Sequence, residues 1–205
     1  MALNANKVAG AGPKATPLAP DNYPARVVQI IDLGVQNQRP YKGVEKPPIN
    51  EIMVTYELTS EFMLDDEGNE DKERPRWVSE RMAFHNLRAD KAKSTKRYMA
   101  LDPKGECEGD FTQLVGRPCL VAIVNNEKDG RVYNNVGAVS PPVKGMDIPG
   151  LVNEGKVFDL DSATAEDFAA LPEWIQGIIR DGLTALPFET ETEEAAEEDE
   201  ADLPY

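Results

Sequence analysis

The chain of 205 residues has one histidine, His85, and two cysteines, Cys107 and Cys119. A single imidazole rules out histidine clusters, and neither an HExxH pattern nor a Ser-His-Asp order is present. Two thiols are too few for a disulfide framework or a cysteine-ligated zinc domain, which points to a reducing compartment. No apolar run approaches the roughly 20 residues that cross a bilayer. The opening, MALNANKVAGAGPKATPLAP, lacks the charged and apolar regions of a secretory signal. Glycine-rich phosphate motifs, GxGxxG and the P-loop, are absent. The carboxylate pair Asp65-Asp66 sits in an acidic turn where solvation explains it. Glu51 and Glu57 on one strand are weak metal ligands. The expectation is a soluble cytoplasmic protein that is not an enzyme and needs no metal or cofactor.

Charge is unevenly spread. The net charge is −15, but residues 189–205 hold nine carboxylates and no base. Residues 23–144 hold 18 bases and 19 acids, a net charge of −1. An acidic string on a nearly neutral body suggests an intramolecular competitor or bait for a basic partner.

Hydrophobic periodicity divides the rest. Residues 1–22 show no period and read as a flexible arm. Five strands follow: Tyr23–Asp32, Asn50–Glu61, Arg76–Leu87, Cys119–Asn125 and Val132–Val139. In the second, Ile52, Val54, Tyr56 and Leu58 alternate with Glu51, Met53, Thr55 and Glu57. In the third, Val78, Met82 and Phe84 alternate with Trp77, Ser79, Arg81 and His85. A one-residue slip would exchange the two faces, so Trp77 reads as either core or outward. Residues 90–101 change period and predict a short basic helix ending before Pro103. Five short strands with one helix between the third and fourth predict a mainly β fold, an OB-type barrel over residues 23–144. Residues 145–187 read as a linker and short helical extension. Its apolar stripe Trp174, Ile175, Ile178, Ile179 must close onto the barrel or onto a second copy. Residues 188–205 read as a disordered acidic tail.

Cations and aromatics coincide on the predicted barrel. The loop after the first strand carries Arg39, Tyr41, Lys42 and Lys46. The third strand carries Arg76, Trp77 and Arg81, the helix Lys93, Lys96 and Arg97, and the last hairpin Arg131 and Tyr133. Binding a single strand needs cations along phosphates and flat rings under bases. On an OB barrel, strands two and three with the flanking loops form the usual groove. The expected ligand is a single-stranded nucleic acid, with DNA and RNA not distinguished.

The acidic tail closes in Asp202-Leu203-Pro204-Tyr205. A merely solvated string gains nothing from an apolar, aromatic tip. A tip that fills a basic-rimmed pocket does, through its ring and its terminal carboxylate. This ending resembles the acidic C-terminal tip of bacterial single-stranded DNA-binding proteins, which closes in Asp-Ile-Pro-Phe. The whole chain, including KAKSTKRYMALDP, is similar to bacteriophage single-stranded DNA-binding proteins with OB cores. The resemblance implies a protein in the host cytoplasm that coats DNA in replication or recombination. It also implies that Asp202, Leu203, Pro204 and Tyr205 recruit partner proteins and compete with DNA. Tyrosine in place of phenylalanine adds a hydroxyl and points to a different partner pocket. Two other readings stand beside it: an acidic module that mimics DNA or inhibits a basic enzyme, and a virion structural protein.

Overall fold

The structure, a computed structural model, describes residues 16–188. Five strands build the body: β1 (Asn22–Gln36), β2 (Ile49–Leu64), β3 (Glu70–Ala83), β4 (Pro118–Lys128) and β5 (Arg131–Ser140). Helix α1 (Lys93–Leu101) lies between β3 and β4. The strand order is β3-β2-β1-β4-β5, and every neighbouring pair is antiparallel. The fold is therefore mainly β, the nearly closed five-stranded OB-type barrel that the periodicity predicts. β3 and β5 are the two ends of this path, and they run parallel to each other across the closing seam.

The barrel interior holds Ala25, Val27 and Ile30 of β1, Ile52, Val54, Tyr56 and Leu58 of β2, Val78 and Met82 of β3, and Cys119, Val121 and Ile123 of β4. Tyr98 and Leu101 of α1 and Phe111 and Leu114 of a short 3-10 turn plug one end. Burial pushes the Cys119 thiol up to about 12, so it packs as a neutral apolar group.

The seam lacks a hydrogen-bonded ladder and is bridged by one buried guanidinium. Arg97 of α1 donates to both Glu80 carboxylate oxygens on β3, at 2.7 and 3.0 Å, and to the Gly137 carbonyl on β5 at 3.2 Å. Tyr56 donates to Glu80 Oε1 at 2.8 Å, and Lys93 Nζ lies 2.8 Å from Glu80 Oε2. Glu80 stands among Val78 and Met82 on the inward side of β3, so its charge requires these partners. Burial raises its pKa, but hydrogen bonds and charge from Arg97 and Lys93 outweigh that and hold it below the ordinary glutamate value.

A second apolar layer lies outside the barrel. β4 pairs with β1 only over Asn22–Arg26, which leaves the rest of that β1 edge bare. A sixth strand, β6 (Lys156–Phe158), takes this edge in parallel at Gln29–Ile31. Helices α2 (Ala165–Ala169) and α3 (Glu173–Arg180) follow. Their Phe168, Ile175 and Ile179 pack with Phe158 and Leu160 onto Ile31, Leu33 and Met53, on the outward side of β1 and β2. The apolar stripe thus closes onto the barrel, with Trp174 left outside. α2 starts at Thr164, whose hydroxyl and Asp167 carboxylate form a capping box. Gly34 sits at φ +70° where β1 bends beneath this layer, and a Cβ there would lie 2.7 Å from Thr184 Oγ1.

Three expectations change. The arm ends sooner than residue 22, since Leu18 is buried and its backbone is held by Asn125 and Asn134. β3 ends at Ala83; Phe84 retains one backbone bond to β2, to the Asn50 carbonyl at 2.7 Å, and its ring stacks edge-on against Phe111 at 5.0 Å, 39% exposed. β2 is buried on both faces from Ile52 to Leu58, because the extension covers its outward side. No helix among the described residues is long and apolar enough to cross a membrane.

Arg97→Met removes the seam bridge and leaves Glu80 with Tyr56 and Lys93 alone; the expected cost in urea denaturation is up to ~3–5 kcal/mol. Adding Glu80→Gln should recover part of it. Because the folded pKa of Glu80 is depressed, its contribution is complete above the unfolded value near ~4.3 and is lost as pH falls through the folded one. Wild type should therefore lose stability more steeply on acidification than the double variant. Equal slopes would remove Glu80 from the account.

Candidate nucleic-acid interface

The loop between β1 and β2 is more ordered than its composition suggests. Tyr41 and Val44 exchange backbone hydrogen bonds at 2.9 and 3.0 Å. Lys42 and Gly43, both at positive φ, form the tight turn between them. Gln38 Nε2 donates to the Pro47 carbonyl at 2.7 Å and ties the loop at its base. The turn presents Tyr41 to solvent, 59% exposed, with Lys46 Nζ 5.0 Å and Lys42 Nζ 5.5 Å from the ring centroid. Among the described residues, no carboxylate pairs with Arg39, Lys42 or Lys46.

Below the turn, Arg39 and Arg81 line one open groove of about 620 Å³ with Asn37, Gln38 and Glu51. Arg81 already pairs with Glu51 and donates to Gln36 Oε1 at 3.2 Å. A phosphate entering there competes with Glu51 for that guanidinium.

Trp77 points outward, which resolves the ambiguity of register. It is 45% exposed, and its indole N–H donates to Glu57 Oε2 at 3.2 Å. Tyr133 and Arg131 are exposed on β5 next to a second tight turn, Asp129-Gly130. Lys96 is exposed on α1 without an ion pair among the described residues.

Three of the predicted contacts are placed differently. Arg97 is buried in the seam and has no face for a phosphate. Lys93 is tied to Glu80. Arg76 is half-buried on the side of β3 that carries Val78, opposite Trp77, because adjacent strand residues point to opposite faces. Asp202, Leu203, Pro204 and Tyr205 lie outside the described residues.

The outward side of β1 and β2, including the β2 part of the usual groove, is covered by the chain itself. Two buried or half-buried charges anchor the filling segment. Arg26 donates to the carbonyls of Gly116, Ile148 and Pro149, at 2.7, 2.6 and 2.5 Å. Glu57, fully buried on the outward side of β2, accepts from Val152 N at 2.6 Å and from Asn153 Nδ2 at 2.6 Å, beside the bond from Trp77. Farther on, Val35 and Leu183–Thr184 exchange hydrogen bonds at 2.7 and 2.8 Å. Residues 145–188 hold eight acids against Lys156 and Arg180, a net charge of −6. The covering layer is thus acidic as well as bulky.

Comparison with protein-family models, curated proteins and solved structures finds no match to this chain.

The chemistry of the surface is therefore read from its own groups. Among the described residues, no three histidine, cysteine, aspartate or glutamate side chains converge as a metal site. What the surface presents is cationic and aromatic: the Tyr41 turn, the Arg39–Arg81 groove and, in a separate cavity against the extension, Trp77. Sequence reasoning passed over Arg26, and it read Glu57 only as an outward residue and a weak metal ligand. A glutamate inside Met-Val-Thr-Tyr-Glu-Leu is a visible signal for a buried acceptor, once the extension is known to need a landing surface.

Glu57→Gln retains shape but loses the charge that strengthens four donors. The expected loss is ~1–3 kcal/mol in denaturant unfolding, with faster proteolytic cleavage between residues 145 and 160. An unchanged midpoint and cleavage rate would show that Glu57 does not hold the extension.

Proposed function

We propose that this protein binds single-stranded nucleic acid without catalysis, coating exposed DNA in replication or recombination. The observation that carries the reading is the Tyr41 turn: an exposed ring between two ammonium groups that have no ion pair among the described residues, two residues from the Arg39–Arg81 groove. A ring of this kind has no packing role, and stacking on a base is the interaction it is built to make. The OB-type barrel supports the reading at the level of fold alone, since this architecture carries other functions too.

Phosphates run along Arg39, Lys42, Lys46 and Arg131, and bases stack on Tyr41, Trp77 and Tyr133. The acidic layer over β1 and β2 repels a phosphate chain and keeps it to the loops and to β3. The tail, ending in Asp202-Leu203-Pro204-Tyr205, competes for the same cations when DNA is absent and recruits a partner when DNA is bound.

A salt titration of fluorescent oligothymidine against duplex of equal length tests this. The single strand should bind more tightly, and four phosphate contacts should give a log–log salt slope of about −3. Tyr41→Ala should weaken binding by about tenfold, the value of one base stack. Truncation after Phe188 should tighten it. Equal affinity for duplex, or no binding to either, would favour the acidic-mimic or virion readings; progressive shortening of the oligonucleotide would reveal a nuclease.

A further inference from the structure

The docked extension covers one part of the barrel face and creates a cavity at another. Between Trp77 and the extension lies an open slot of about 520 Å³, within the range of small-ligand sites. Trp77 and Gln29 line it from the barrel, and Gly155, Lys156, Ala170 and Pro172 line it from the extension, with Lys156 beside Gln29 in the β1–β6 pair. The indole is not free to turn, because its N–H is held by Glu57, the same carboxylate that holds residues 152 and 153. The ring thus borders the slot in an orientation fixed by that bond, and Gly155, Ala170, Leu171 and Pro172 add small and apolar groups to the lining.

The polar groups around the slot decide what enters. Glu154 and Asp167 face it along with Lys156. Asp167 already accepts from the Thr164 backbone N–H and hydroxyl through one oxygen, at 3.0 and 2.6 Å. Glu154 has no partner among the described residues. Two carboxylates against one ammonium repel phosphate and accept hydrogen bonds from N–H donors. Cytosine supplies such a donor from its exocyclic amine; unpaired thymine has no exocyclic amine, and its one N–H, at N3, lies between two carbonyl oxygens that repel a carboxylate.

We propose that this slot, built jointly by β3 and the C-terminal extension, takes one unpaired nucleobase flat on Trp77 and favours a base with an exocyclic amine, held by Glu154. The inference rests on the nucleic-acid reading above and adds the extension to the binding site. The sugar–phosphate chain stays on the cationic loop side while the base turns inward.

The test uses the full chain carrying Trp174→Phe, so that Trp77 is the one remaining tryptophan of the two. Labelled oligodeoxycytidine and oligothymidine of equal length are titrated at fixed salt while indole emission is followed. Oligodeoxycytidine should bind several-fold more tightly and quench Trp77. Glu154→Ala should abolish that preference. Ala170→Met, an exposed substitution on the extension that fills the slot, should weaken oligodeoxycytidine by about tenfold and remove the quenching. Trp77→Phe should retain most of the affinity that Trp77→Leu loses. If both oligonucleotides bind equally in the parent, or if Ala170→Met leaves affinity and quenching intact, the slot is overturned and the nucleic-acid reading stands. If neither oligonucleotide binds, both fall together.

Discussion

A carboxylate in a place without water organises this molecule. Glu57 stands on the outward side of β2, where an OB-type barrel ordinarily offers a face to its ligand, yet it is fully buried. A carboxyl group there must be hydrogen-bonded by the protein. Its donors come from two directions: the indole of Trp77 on β3 and residues 152 and 153 of the extension. Arg26 makes the complementary contact on β1, receiving three carbonyls where Glu57 receives N–H groups. These polar anchors fix where the chain lands after β5. The apolar packing of Phe158, Phe168, Ile175 and Ile179 onto Ile31, Leu33 and Met53 then supplies the bulk of the burial. Removing the extension would expose that apolar surface and strand both charges at once.

The consequence for function is a displaced surface. With β1 and β2 covered by an acidic layer, the open groups are those of the β1–β2 loop, β3 and the β4–β5 hairpin. Order in the loop matters here. A ring on a hydrogen-bonded turn is positioned before any ligand arrives, so less freedom is lost on binding. Trp77 is positioned in the same sense by Glu57. The two aromatic positions are therefore held by different means, one by local turn geometry and one by a cross-strand bond to Glu57, the carboxylate that also holds Val152.

How much of this was legible in the sequence depends on the range of the interactions. Alternation in Ile52–Leu58 and Val78–Met82 identified the inward faces correctly, because strand periodicity is local. The Asp129-Gly130 turn was legible for the same reason. The roles of Arg97 and Lys93 were not, since a helical lysine or arginine reads as solvated unless the buried Glu80 beneath it is seen. Arg76 was placed beside Trp77 by proximity along the chain, although adjacent strand residues face opposite ways. The covered face was the largest omission. The stripe of Ile175, Ile178 and Ile179 announced that something had to be covered. Only the bare β1 edge beyond Arg26 shows where, and that edge follows from strand registers that no local pattern encodes.

The account turns on the extension remaining in place while ligand binds beside it. Amide hydrogen exchange across the whole chain, with and without saturating single-stranded oligonucleotide, tests this directly. Residues 39–46, 77–81 and 131–133 should gain protection, and residues 152–184 should keep the protection they have in the free protein. Loss of protection in 152–184 together with new protection on the outward side of β1 and β2 would mean that the ligand displaces the extension, and would contradict the account.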